Sequence, residues 1–94
     1  MSLNEVRLFE SMGNYVKVHF DKNQPLIHKS LNSLGDKLDP KHFFRANRQQ
    51  IVNLNWIDQI QPWFSGGLLL ELKNGEKVEL SRRQSIKFRD MKSF

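Results

Sequence analysis

Two apolar runs in this chain are separated by a dense set of hydrogen-bonding side chains, in "FFRANRQQIVN" at residues 43–53. Phe43 and Phe44 open the stretch and Ile51 and Val52 close it. Arg45, Asn47, Arg48, Gln49 and Gln50 stand between them. Two further segments share this composition, "GNY" at 13–15 and "SRRQ" at 81–84. Each offers amide or guanidinium groups without a matching carboxylate. An arginine can bond two acceptors on a guanine edge, and Asn or Gln can do the same to adenine. Ser, Gln and Arg also hold phosphates. Alone, residues 47–50 read as an ordinary exposed loop. Three such segments together favour a nucleic acid.

Charge points the same way. The 94 residues carry a net charge of +5. Residues 1–40 hold five Lys/Arg and five Asp/Glu, whereas residues 41–94 hold ten and five. The last thirteen residues contain Arg82, Arg83, Lys87, Arg89 and Lys92 against Asp90. A basic end on a neutral body suits a polyanionic partner, with a solvated tail as the plain alternative.

Other chemistries find little support. The chain has no cysteine, which removes disulfides, thiolate nucleophiles and thiolate zinc sites. His19, His28 and His42 lack metal-ligand spacing, so no metal or cofactor is expected. The carboxylates are dispersed, and no nucleophile elbow surrounds a serine. Gly66-Gly67 lacks the helix and lysine that a phosphate loop needs. The chain is therefore read as non-enzymatic. No apolar run approaches the ~18 residues of a membrane span and no signal peptide is visible. A cytoplasmic protein without a membrane partner is expected. Met1-Ser2-Leu3 reads as an expression scar, and the chain as a piece of a longer protein.

The elements that must position these residues read mostly as strands. "EVRLF" places Val6 and Leu8 on one face. "NYVKVHF" turns Val16, Val18 and Phe20 to the core and Tyr15, Lys17 and His19 away from it. "PLIHK" is a short third strand. Ser30 caps a helix carrying Leu31, Leu34 and Leu38, which Asp39-Pro40 ends. Adjacent Phe43 and Phe44 point to opposite faces of a strand, so that one of them is either less buried or covered by a second sheet. "WIDQIQPWF" offers Trp56, Ile57, Ile60 and Trp63 as core candidates, with Pro62 marking an edge or bulge.

"LLLELKNGEKVEL" is a hairpin whose register can be argued. A two-residue loop sets Leu70 opposite Glu79. A three-residue loop, with Gly75 left-handed, sets Leu70 opposite Val78, Leu68 opposite Leu80 and Glu71 opposite Lys77. The second register sorts apolar from charged residues and is preferred. Ser81 then caps a last helix with a loose stripe of Ile86, Met91 and Phe94. Arg82 and Arg83 fall in its first turn, where the helix dipole disfavours cations and an anion would relieve the cost.

"FFRANRQQIVNLNWIDQI", then a hairpin and "VELSRRQ", resembles the LytTR family of bacterial DNA-binding domains. "ESMGNYVKV" and "SLNSLGDKL" resemble its first half. Phe44, Arg45, Ile51, Val52, Asn53, Ser81 and Arg83 stand where the family pattern has them. The sequence departs at Asn47, where the family often has His, and at Gln49 and Gln50, where Ser and an aromatic are common. The resemblance spans nearly the whole chain. It implies one mainly β domain over residues 1–94, with antiparallel sheets stacked in an elongated, β-sandwich-like body and one or two short helices. It implies sequence-specific binding of double-stranded DNA for transcriptional regulation, by loops that read successive major grooves. The domain would be the output domain of a two-component response regulator, joined to a receiver and acting at paired direct repeats. By position, Asn14, Arg48 and Arg83 would read bases, and Gln49, Ser81, Arg82 and Lys87 would contact phosphates. Asn53 would support its loop. The alternative is a protein-interaction module that docks an acidic partner on the basic C-terminal end. A third reading, single-stranded binding, would use Tyr15, Phe20, Phe43, Phe44, Trp56 and Trp63 for stacking.

Overall fold

Alternating apolar residues and a glycine turn fold the first two strands into a hairpin. The computed structural model describes residues 5–20 and 22–92, so the expectations for Met1-Ser2-Leu3 and for Phe94 fall outside the described residues. Strand β1 (Val6–Met12) pairs antiparallel with β2 (Tyr15–Phe20). Between them Gly13 takes a φ of 66°, a left-handed value that costs glycine little. Val6 and Leu8 do not share a face. Val6 pairs with Phe20 but Leu8 with His19, so a bulge at Arg7 shifts the register. Val6 and Phe9 consequently join one core cluster and Leu8 the other.

Strand β3 is only Leu26–Ile27, and helix α1 is Leu31–Lys37. The α1 cap is as expected, with Ser33 N donating to Ser30 Oγ at 3.1 Å. Strands β4 (Phe43–Asn47) and β5 (Gln50–Asn53) complete an antiparallel sheet of order β3-β2-β1-β5-β4. Leu31, Leu34 and Leu38 cover one face of it, against Val6, Phe9, Val16, Val18, Phe43 and Ile51.

The other face meets a second sheet of order β6-β7-β8, built from β6 (Ile57–Pro62), β7 (Leu68–Leu72) and β8 (Lys77–Leu80). Leu70 pairs with Val78, Leu68 with Leu80 and Glu71 with Lys77, which is the preferred register, and Gly75 has a φ of 92°. Leu68, Leu70, Leu72, Val78 and Leu80 bury themselves against Leu8, Ala46 and Val52 of the first sheet. Phe43 and Phe44 part as expected. Phe43 joins the α1 side, and Phe44 packs edge-on to Phe88 with ring centroids 5.4 Å apart.

Three further expectations need correction. His19, placed on the side of β2 away from the core, does lie opposite Val16 and Val18, but it is only 5% exposed because the β7–β8 turn lies over that face. Among the core candidates of β6, Trp56 and Ile57 are half-buried, but Ile60 and Trp63 are exposed, since β6 is an edge strand. Helix α2 (Arg82–Lys92) docks through Ser85 and Phe88, both fully buried, while Ile86 and Met91 face outward. The molecule measures 33 × 24 × 23 Å.

Candidate nucleic-acid interface

The β4–β5 turn holds Arg48 and Gln49 at its tip, both exposed. A register shift between Arg45 and Asn47 prepares this turn. Arg45 then clamps it from beneath. Its Nε donates to Asn47 O at 2.7 Å, its Nη2 to Arg48 O at 2.6 Å, and its Nη1 to Asn32 Oδ1 at 2.8 Å. Burial lowers the Arg45 pKa from its ordinary value, yet a guanidinium stays charged in a protein. Arg45 is thus committed to the fold. Asn47 closes the turn from the inside, its Oδ1 accepting from Gln49 N at 2.9 Å. This is a local turn that asparagine favours.

The β8–α2 junction holds the second set. Ser81 caps α2, with Gln84 N donating to Ser81 Oγ at 3.2 Å and Ser85 N to Ser81 O at 2.8 Å. Ser85 Oγ also donates to Ser81 O, at 2.8 Å. Phe88 pins the helix from below. Gly67 crosses against the Leu80 carbonyl so closely that a Cβ there would collide. Beside it, Gly66 lies against the aliphatic stem of Arg82.

These two segments face each other. Arg45, Asn47, Arg48, Ser81, Arg83 and Gln84 line one open cleft of about 440 Å³. Asn14 lies outside its lining, exposed in the β1–β2 turn. That turn shares an end of the first sheet with the β4–β5 turn, because Ser11 N donates to Gln49 O at 2.7 Å. Arg82 is not in the lining and lies against Gly66, and Lys87 lies one helical turn beyond Arg83 on the same face. Among the described residues, Arg48, Arg82, Arg83 and Lys87 form no ion pair with a carboxylate. Asn53 is fully buried, donating to Val6 O at 2.8 Å and accepting from Asn55 N at 2.9 Å. It supports the sheet and the Leu54–Trp56 turn rather than the exposed surface.

Sequence reasoning did not assign the clamp by Arg45 or the lining role of Gln84. Asparagine two residues before Gln49 was a local signal for the turn. Nothing local marks a second bond of Asn47, from Nδ2 to Glu79 O at 2.9 Å, because its acceptor is 32 residues away.

Two stacked antiparallel sheets that bring cations and amides from the β4–β5 turn and the start of α2 to one open cleft suit a nucleic-acid-binding domain. Comparison with known proteins agrees. The family model for the LytTr DNA-binding domain matches residues 1–93, and the chain belongs to this family of DNA-binding domains of transcriptional regulators. The transcriptional regulatory protein YpdB of Escherichia coli is 31% identical over 90 residues, covering 95% of this chain and 37% of that protein. The sensory transduction protein LytT of Oceanobacillus iheyensis is 35% identical over 72 residues, 76% of this chain and 29% of that protein. The chain thus spans well under half the length of these relatives. A solved structure from Bacillus cereus, described as the LytTr domain of a methyl-accepting/DNA response regulator, superposes with a TM-score of 0.92 at 28% identity. It covers 100% of this chain and 86% of that one. Among the described residues, no helix is long and apolar enough to cross a membrane.

Proposed function

We propose that this chain reads double-stranded DNA through the cleft between the β4–β5 turn and the start of α2, together with the β1–β2 turn. Arg48 and Arg83 enter the major groove as base readers, and Asn14 reads from the neighbouring turn. Gln49, Ser81, Arg82 and Lys87 hold phosphates. The observation that carries this reading is the convergence of Arg48 and Arg83 on one cleft, with no carboxylate paired to either among the described residues. Facing cations without counterions favour a polyanion, and their forked guanidinium groups suit guanine edges. Ser81 Oγ accepts the helix cap bond and keeps its proton to donate to a phosphate. The 33 Å long axis is close to one helical turn of DNA, about 34–36 Å, so one domain suits one half-site. In the full-length protein, the domain serves as the output of a cytoplasmic response regulator. A phosphorylated receiver then pairs two copies on direct repeats.

Selection of binders from a random duplex library, with wild type and Arg83→Ala in parallel, tests this. A short motif enriched by wild type and changed at one position by the variant is the expected result. A folded wild type that enriches no motif at low salt would leave a protein partner for the basic end as the better reading.

A further inference from the structure

Asn47 is the only residue among those described whose side chain hydrogen-bonds the β4–β5 turn to the β8–α2 segment. Both of its amide protons are used. Oδ1 accepts from Gln49 N at 2.9 Å, and Nδ2 donates to Gln50 Oε1 at 3.0 Å and to Glu79 O at 2.9 Å. Swapping the amide's two ends would break the bonds to the Gln49 and Glu79 backbone, so the arrangement fixes its orientation. The Glu79 bond crosses from one sheet to the other. β8 is an edge strand, and an outward-facing carbonyl on an edge needs a partner. Asn47 supplies it. Arg48 is the next residue after one end of this bond, and Arg83 lies four residues after the other. Between Glu79 and Arg83 the chain is held rigidly, with Leu80 buried and Ser81 capping α2.

We propose that Asn47 is a positioning residue that sets the distance between the bases read by Arg48 and Arg83, so that the two turns act as one reading head. This rests on the proposed placement of DNA in the cleft. The amide itself has no donor left for a base. Its effect falls on spacing, a property of two contacts together. The bond to Gln49 shapes the turn, and the bond to Glu79 ties that turn to the other sheet.

The test uses wild type, Asn47→Ala and Asn47→Asp, with Arg48→Ala and Arg83→Ala as reference variants. Binding is measured on the selected duplex and on duplexes with one base pair inserted or removed between the two contacted positions. Wild type should reject the altered spacings. Both Asn47 variants should lose about three- to tenfold of that rejection, the worth of the one cross-sheet hydrogen bond that both remove. Asn47→Asp keeps the acceptor for Gln49 N but has no amide donor for Glu79 O. The contact with Gln50 is recoverable, because that amide can turn its NH2 to the carboxylate, whereas the Glu79 carbonyl cannot donate. Asn47→Asp therefore separates the cross-sheet bond from the turn, and its added charge cancels in the ratio between duplexes. The salt slope should not change in Asn47→Ala, because no phosphate contact is removed. Urea midpoints establish that each variant is folded. Unchanged spacing rejection in either folded variant overturns the proposal, and so does a uniform loss on every duplex. A wild type whose preference is untouched by both Arg48→Ala and Arg83→Ala instead overturns the underlying placement of the DNA.

Discussion

Four arginines show how surroundings divide one side chain among different tasks. Arg7 is 7% exposed and donates to Glu76 Oε1 at 2.6 Å. Arg45 holds two turn carbonyls and Asn32. Arg48 and Arg83 face the cleft. Each environment has a different consequence for substitution. Arg83→Ala should cost about 1–3 kcal/mol on the preferred duplex and relax choice at one position. Lys87→Ala should weaken all sequences alike and reduce the salt slope by about one. Titrations of specific and random duplexes at several salt concentrations separate the two, and identical behaviour would refute the division. Arg45 predicts a third pattern. Lysine cannot reproduce its planar fork, so Arg45→Lys should behave almost like Arg45→Ala. Both should lose discrimination between duplexes while keeping the salt slope, since Arg45 touches carbonyls rather than phosphate. Recovery of full discrimination by lysine would show that only charge matters at this position.

At the scale of elements, α2 depends on a narrow contact. Ser85 and Phe88 are its fully buried side chains, and Phe88 meets Phe44. Phe88→Ala should cost about 3–5 kcal/mol, read as a fall in the urea midpoint, because the cavity opens where α2 and β4 meet. Specific binding should fall with it even under conditions where the sheets persist, since Arg83 rides on this helix. Stability unchanged within error would mean that α2 is anchored elsewhere. The sequence carried a misleading pattern here. Ile86 and Met91 look like a stripe, yet a helix lying on the sheet by one small and one large residue leaves them outside. The β7–β8 register was legible because only one loop length sorts leucines from charges. The α1 cap and stripe were legible because their signals are local. The bulge at Arg7 and the burial of His19 were not, since each depends on a second sheet arriving over β1 and β2. The candidate site divides along the same line. Its three polar turns are visible as composition, whereas the clamp by Arg45 and the cross-sheet bond of Asn47 are tertiary.

The whole molecule is two sheets joined chiefly by leucines and valines, and apolar contact alone fixes orientation poorly. A polar cluster at the margin supplies direction. Arg7 and Glu10 on β1, His19 on β2 and Glu76 in the β7–β8 turn meet there. His19 Nε2 lies 3.1 Å from Glu10 Oε1, and His19 Nδ1 lies 3.8 Å from Glu76 Oε2. Burial by itself pushes the Glu76 carboxyl up. Hydrogen bonds from Arg7 and Asn74, with the charges of Arg7 and His19, outweigh it and hold the carboxyl below its ordinary value of 4.5. A carboxylate with a lowered folded pKa binds protons more readily when unfolded. Its stabilisation is therefore complete above the unfolded value and is lost as pH falls through the folded one. Glu76→Gln should then be less stable than wild type at neutral pH. The gap should begin to close as the pH drops below 4.5 and vanish once Glu76 is protonated in the folded protein. Urea midpoints of both proteins across that range measure it directly, and the difference between them cancels the titration of other carboxylates. A gap that stays constant into acid would show that shape, not charge, is what Glu76 contributes. At neutral pH the same variant should still prefer the selected spacing over altered ones, because Asn47 joins the sheets independently near the cleft. Loss of that preference would mean that the two sheets are held in register from this margin, and that the reading surface depends on an ion pair outside it.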